Sequence, residues 1–255
     1  MNIVRTIIFI LLLSLPSAAQ QTRQQTAFGV GERLLFNVNF GFITAGYAEM
    51  NIPKLDTVLN TTTYKVEFIV RSTPTFDLFF KVCDRYETYL DTATIVPWRF
   101  EQHISEGSFK RDYVATFDHR NGIARTDEGD FPIPPDVHDI MSAFYYARTI
   151  DFSGFRMGQK VGLKNFFKGK TNPLEIKYLG KQRIDVKAGT FNCIILEPMV
   201  KEGGLFKSEG RILIWLSDDA NRIPVKVSTK IVIGTIDAEL KEYSGLRNGE
   251  KAKVK

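Results

Sequence analysis

The sequence predicts a mainly β protein of antiparallel, curved sheets, arranged as a sandwich or a partly closed barrel, with one central helix. From about residue 28 onward, apolar and polar residues alternate with a period of two, which is typical of half-buried strands. Turn-forming Gly, Asn and Asp residues interrupt this alternation at close intervals, without the helices that separate parallel strands. A single stretch near the middle of the chain has the apolar spacing of a helix.

A first set of strands is predicted over about residues 28–130. In TTYKVEFIVRS the charged residues fall on one face, and the other face carries Tyr64, Val66, Phe68 and Val70. Residues 98–126 are predicted to form three strands, with hinges at 105–107 and at the Asn121-Gly122 pair, a strong hairpin signal. Glycines at positions 41 and 46 indicate a bulge or a close approach of the backbone to another group.

The central helix is predicted over about residues 136–149, within PPDVHDIMSAFYYARTID. Two prolines precede it, Asp136 can cap its first turn, and Asp139 follows three residues later. Its apolar positions are Ile140, Met141, Phe144 and Tyr145. The helix is expected to join the first set of strands to a second set over about residues 158–243. Residues 244–255 are expected to be a flexible basic tail.

Residues 1–19 have the pattern of a secretory signal peptide. Arg5 provides the positive charge, residues 7–15 the apolar run, and Ser17-Ala18-Ala19 a small-residue cleavage site. The alternative, an uncleaved membrane anchor, fits less well because the apolar run is short for a span of about 20 residues. We expect an exported protein of a Gram-negative bacterium, periplasmic or associated with the outer membrane, with no transmembrane span after cleavage.

The charge and the cysteine content exclude several classes of partner and cofactor. The formal net charge is +5, spread along the chain without a basic run interleaved with aromatics, so no nucleic-acid partner is expected. Cys83 and Cys193 lie in apolar, strand-like stretches and could form one disulfide or stay free. The chain has no Cys-x-x-Cys motif, and its three histidines lack ligand spacing, so no metal or other cofactor is predicted.

Several motifs, taken in order, resemble the DUF3108 family of exported bacterial proteins of unknown function. They are GERLLFNVNFGFITAGYAEM at 31–50, Val96-Pro97-Trp98, DIMSAFYYAR at 139–148, VKAGTFNC at 186–193, IWLSDDANRIPVKV at 214–227 and GTIDAEL at 234–240. The resemblance covers roughly residues 28–243. It implies a mostly antiparallel β fold in the periplasm or cell envelope, and it brings no catalytic residues.

Two groups of polar residues are candidate catalytic sites. Asp218, Asp219 and Arg222 follow a strand and are typical of a hairpin turn, in which Asp and Asn side chains bond to nearby backbone N–H groups. The alternatives at that position are a calcium-type oxygen site and general acid chemistry.

The second group, Asp136, His138 and Asp139, lies at the predicted helix start, where capping accounts for both aspartates. A hydrolase would use Ser142, four residues after His138, but that serine lacks the strained turn of a G-x-S-x-G motif.

The aromatic residues suggest a ligand site. A curved sheet that does not close leaves an apolar concave face, which a helix or a ligand fills. The candidate ligand-binding residues are Phe76, Phe79, Phe80, Phe144, Tyr145 and Trp215.

The leading hypothesis is a non-enzymatic envelope protein that binds a lipid, an acyl chain, a glycan or an envelope protein on its concave face. The alternatives are a hydrolase or other enzyme acting on envelope glycans or lipids, and a structural or assembly partner that presents a sheet edge.

Overall fold

A computed structural model describes residues 27–200, 210–231 and 234–254, and the predicted signal peptide lies outside these ranges. The helices are α1 (Pro74–Asp77) and α2 (Ile140–Thr149). The strands are β1 (Arg33–Phe40), β2 (Ile43–Val58), β3 (Thr61–Ser72), β4 (Cys83–Asp91), β5 (Pro97–Glu106), β6 (Phe109–Asp118), β7 (Ile123–Thr126), β8 (Gly129–Pro132), β9 (Val137–His138), β10 (Lys160–Phe167), β11 (Lys170–Val186), β12 (Gly189–Val200), β13 (Ile212–Ser217), β14 (Pro224–Ile231) and β15 (Gly234–Ser244).

All fifteen strands belong to one sheet, in the order β8-β7-β6-β5-β4-β3-β2-β1-β15-β14-β13-β12-β11-β10-β9. Strands that are neighbours in this order pair antiparallel, except for β9 and β10, which pair in parallel. The first and last strands pair with each other, from Arg33 opposite Ser244 to Phe40 opposite Ile236, and this pairing joins the two predicted strand sets. The sheet is not closed, because β8 and β9 form its two edges. The mainly β, antiparallel prediction is confirmed, and the described residues form one open sheet rather than a two-sheet sandwich.

The alternation in β3 places the predicted residues inside. Val66 is fully buried, and Tyr64, Phe68 and Val70 pack against the core. The three strands predicted over residues 98–126 are β5, β6 and β7.

Gly46 lies where β1 and β2 change register, and a Cβ there would come within 2.6 Å of the Arg71 carbonyl oxygen of β3. The bulge and the close approach expected near this glycine are therefore both present.

The central helix begins later than predicted, at Ile140. Val137 and His138 form β9, whose pairing with β10 holds them in extended conformation. The N-cap is Asp139 rather than Asp136, because its backbone is extended and its carboxylate accepts the N–H groups of Met141 and Ser142 at 2.7 and 2.9 Å. Asp136 instead pairs with Lys164.

A second, four-residue helix, α1, was not predicted because one helical turn leaves no periodic signal.

The C-terminal segment is packed, which corrects the expectation of a flexible tail from residue 244. The Ala252 carbonyl accepts the Asn192 N–H at 2.9 Å, and the Val254 N–H donates to Thr190 at 2.9 Å. Ala252 itself is 2% exposed. These backbone bonds extend the sheet beside the β11–β12 turn.

Candidate functional site

Helix α2 and the concave face of the sheet enclose an apolar cavity of about 290 Å³. Strands from both halves of the sheet line it, on either side of the β1–β15 pairing. Among the described residues that line it, Thr229 has the only polar side chain. The apolar lining includes Phe36, Met50, Leu196 and Ile214 from the strands and Met141 and Phe144 from the helix. The volume is close to the lower end of the roughly 300–1,000 Å³ of small-molecule pockets.

Two half-buried residues of the cavity lining, Thr229 and Ala238, lie towards the end of the sheet where β14 leads into β15, and we call them the mouth of the cavity. The next inward-facing residue of β15, Ile236, is 37% exposed and pairs with Phe40. Because Phe40 leads into the turn at 41–42, the mouth lies beside the β1–β2 turn.

The position of helix α2 over the cavity is fixed at its C-terminal end by a buried ion pair. The two terminal nitrogens of Arg148 each lie 2.7 Å from a carboxylate oxygen of Glu32, and both side chains are at most 1% exposed. Arg148 also donates to the carbonyl of Asn221 at 3.0 Å, and its guanidinium lies over the rings of Phe28 and Tyr145. Arg148 thereby connects the helix to the segment that precedes β1 and to the β13–β14 turn.

This ion pair shifts the pKa of the arginine upward. Burial alone would lower the pKa of Arg148, but the charge and hydrogen bonds of Glu32 outweigh burial and raise it. Arg148 is therefore charged near pH 7.

At its N-terminal end, helix α2 is held by Asp139. Besides the two backbone N–H groups, its carboxylate accepts the Thr88 hydroxyl of β4 at 2.7 Å. Burial raises the pKa of Asp139 to about 6, against the opposing effect of these hydrogen bonds. The space beside it is about 10 Å³, which is room for one water molecule and for no substrate.

Of the six aromatic residues predicted to bind a ligand, the structure places Phe144 in the cavity wall. Tyr145 is fully buried against Phe28 and Arg148. Trp215 bonds through its indole N–H to Gln182 at 2.9 Å.

The other three aromatics, Phe76, Phe79 and Phe80, lie on or just after α1, between β3 and β4, and do not line the cavity. The sequence prediction therefore combined residues from separate places.

Asp218, Asp219 and Arg222 lie in the β13–β14 turn, as the sequence indicates. Asp218 pairs with Lys181 at 2.6 Å and with Arg222 at 3.0 Å. Burial would raise the pKa of Asp218, but these two cations outweigh it and hold the pKa below its usual range. Asp219 accepts the Ser217 hydroxyl and the N–H groups of the turn and of Ala252. Both carboxylates are thus occupied in holding the turn and the C-terminal segment.

The pair of His138 and Ser142 that the hydrolase alternative would need does not form. The Ser142 hydroxyl donates to the carbonyl of Asp139 at 3.0 Å. His138 is 2% exposed and packs against Tyr146 with ring centroids 4.9 Å apart, and its Nδ1 has no hydrogen-bond partner among the described residues. Burial lowers the pKa of His138 to about 4, so the ring is neutral near pH 7.

The cysteines are both free: Cys83 is exposed and Cys193 is buried. Over the ranges that the structure describes, no group of three or more His, Cys, Asp or Glu residues could hold a metal ion. Within those ranges, neither helix is long and apolar enough to cross a membrane.

Glu32 and Arg148, which hold the helix over the cavity, were not predicted from the sequence. Arg148 could have been found, because it continues the buried stripe of Met141 and Tyr145 at helical spacing, and a charge on such a stripe requires a partner. Glu32 gave no comparable signal, since it precedes a strand and lies 116 residues away in the chain.

Several solved structures match most of the chain at low sequence identity. A β-barrel-like protein of the DUF1849 family from Brucella abortus has a TM-score of 0.56 and 10% identity, over 86% of this chain and 98% of that one. A "putative exported protein" from Bacteroides fragilis has a TM-score of 0.40 and 8% identity, over 86% and 97%. A "putative lipoprotein" from Parabacteroides distasonis has a TM-score of 0.37 and 10% identity, over 86% and 99%.

No curated protein sequence matches the chain significantly. The family model for proteins of unknown function DUF3108 matches residues 35–241, which include thirteen complete strands, both helices and most of β1 and β15 but not Glu32. The chain belongs to the DUF3108 family.

Proposed function

We propose that the protein is a non-enzymatic, exported binding protein that holds one alkyl or acyl chain of a lipid-like molecule in the cavity beneath α2. The observation that carries this proposal is the cavity itself: about 290 Å³, with Thr229 as the only polar side chain in its described lining. Apolar cavities of about 150 Å³ already stay dry and bind small hydrocarbons. Export is proposed from the signal-peptide pattern of residues 1–19.

The chemistry of the lining favours an acyl chain over a glycan. A sugar in this cavity would leave most of its hydroxyl groups without partners, at a cost of roughly 1–3 kcal/mol each. An alkyl chain needs no hydrogen bonds and gains from each methylene removed from water, about 0.8 kcal/mol. The polar end of the ligand would remain at the mouth, next to the half-buried Thr229.

The test is binding of a fluorescent fatty acid to the purified protein, with native mass spectrometry of the same sample. Ala238→Phe adds a ring to a half-buried strand position that lines the cavity, and it should weaken binding at least tenfold. Ala93→Phe, the matched control, adds the same ring at an exposed position in the β4–β5 turn and should leave binding unchanged.

Circular dichroism establishes that each variant folds. If Ala238→Phe is unfolded, Thr229→Trp, which adds an indole ring at the mouth, is tested in its place. Equal binding by the wild-type chain and a folded, cavity-filled variant would show that the fatty acid binds elsewhere, and no binding by the wild-type chain would reject the proposal.

A further inference from the structure

Three turns at one end of the sheet carry exposed apolar side chains. They are the β1–β2 turn, the α1 segment between β3 and β4, and the β5–β6 turn, which share one end because consecutive strands are antiparallel. Phe42, Phe79 and Leu78 are 98%, 83% and 82% exposed, and the other members are about half exposed. We call these six residues the apolar rim: Phe42, Ile43, Leu78, Phe79, Phe80 and Phe109.

The three turns are in contact, so the rim is one continuous surface. The Thr73 N–H before α1 donates to the Ala45 carbonyl of β2 at 2.8 Å, and the Gly107 N–H donates to the Lys81 carbonyl at 2.8 Å. The Phe80 ring covers Gly107, where an added Cβ would approach it to 3.0 Å. These contacts hold the three turns side by side at one end of the sheet.

Exposed charges of both signs lie at this end of the sheet. Four exposed lysines lie at or next to its turns, and none forms an ion pair with a described carboxylate: Lys81, Lys110, Lys170 and Lys230. Asp127 and Glu128, in the β7–β8 turn, are exposed at the same end. Next to the rim itself, Asp84 accepts the Ser105 N–H at 2.9 Å, and the exposed Asp112 bonds to His103 at 2.6 Å. An approaching surface therefore meets the apolar tips together with the exposed ammonium groups of Lys81 and Lys110 beside them.

The rim also adjoins the mouth of the cavity. Phe42 follows Phe40 and Gly41, and the Gly41 N–H donates to the Thr235 carbonyl of β15 at 3.4 Å, one residue from Ile236 at the mouth. A surface that covers the rim would lie next to this mouth.

From these observations we infer that the apolar rim inserts into the interfacial region of an anionic lipid bilayer. Exposed apolar patches of this kind mark protein or membrane contacts. Separate turn tips suit insertion by a few ångströms among lipid headgroups, where flanking lysines meet anionic lipid. Docking in this orientation presents the cavity mouth to acyl chains. The inference goes beyond the proposed ligand binding, and the two are measured separately.

The test is flotation of the purified chain with vesicles that contain phosphatidylglycerol, compared with phosphatidylcholine alone. We expect the wild-type chain to bind the anionic vesicles. Phe42→Ser and Phe79→Ser should each lower the affinity roughly tenfold. Lys81→Glu/Lys110→Glu should bind without a preference for anionic lipid. Leu59→Ser, an exposed apolar residue in the β2–β3 turn at the opposite end, is the matched control and should bind as the wild type does.

A second measurement places the rim directly at the bilayer. The fluorescence of Phe42→Trp should shift to the blue and be quenched by lipids with brominated acyl chains, and that of Ala93→Trp should not.

Equal flotation of all variants would overturn the inference, because the chain would then bind through residues that the variants share, such as residues 1–19. So would a chain that ignores vesicles but self-associates through the rim, with Phe42→Ser abolishing the dimer. Fatty-acid binding by the folded rim variants should remain unchanged, which separates this test from that of the cavity.

Discussion

Removal of Arg148 should be among the most destabilising single substitutions in the protein. Arg148→Met leaves the carboxylate of Glu32, 1% exposed, without the two bonds of 2.7 Å that neutralise it. Breaking a buried ion pair by removing one partner costs about 3–5 kcal/mol. Since small domains are stable by about 5–15 kcal/mol, this loss is a large fraction of the total.

A double substitution distinguishes the ion pair from simple packing. In Arg148→Met/Glu32→Leu no charge is left at this buried site, so the double variant should be more stable than Arg148→Met alone. Its loss of unfolding free energy should be well below the sum of the losses of the two single variants. The assay is urea unfolding near pH 7, followed by circular dichroism, with the slope of the transition checked for constancy. A cost below about 1 kcal/mol for Arg148→Met, or additive costs in the cycle, would refute the reasoning.

Three further predictions concern protonation, capping and thiols. Because burial lowers the pKa of His138 from its ordinary value near 6.5 to about 4, the unfolded chain binds more protons at this residue than the folded chain does between those two pH values. The contribution of His138 to stability therefore falls by about 3 kcal/mol as the pH falls through that window. Asp139, with its pKa raised to about 6, takes up a proton in the folded chain below about pH 6 and so opposes this fall in stability. Asp139→Asn should therefore lose more stability than the wild type between about pH 7 and pH 4.5, measured by urea unfolding. An equal loss would contradict the raised pKa of Asp139. At about pH 7, Asp139→Ala should cost about 1–2 kcal/mol through loss of the helix cap, whereas Asp139→Asn, which can still cap, should cost clearly less; equal melting temperatures of the two variants would argue against the cap. A maleimide should modify Cys83 in the native chain and Cys193 only after unfolding, read by peptide mass spectrometry; fast native labelling of Cys193 would show that its strand opens.

The local elements of the fold could be predicted from the sequence because they depend on neighbouring residues. Alternation along β3 identifies the face that is buried, and the Asn121-Gly122 pair predicts the β6–β7 turn. The pairing of β1 with β15 could not be predicted, since alternation shows that a strand has a buried face but not which strand lies beside it.

The start of helix α2 shows the same limit. Residues 137–138 have a sequence compatible with a helical first turn, but pairing with β10, more than 25 residues further along the chain, holds them extended. The cavity was anticipated as an apolar concave face, and Phe144 was identified in its wall. Its other walls come from strands on both sides of the β1–β15 pairing, so their assembly into one site depends on contacts that the sequence does not specify.

The central claim is that an alkyl chain lies between α2 and the concave face of the sheet. Photo-crosslinking with a diazirine-bearing fatty acid, followed by peptide mass spectrometry, tests it most directly. We expect modified peptides to contain Met141 or Phe144 of the helix and Leu196 or Ile214 of the sheet, with labelling suppressed by Ala238→Phe. Crosslinks confined to the apolar rim, or spread evenly over the surface, would contradict it.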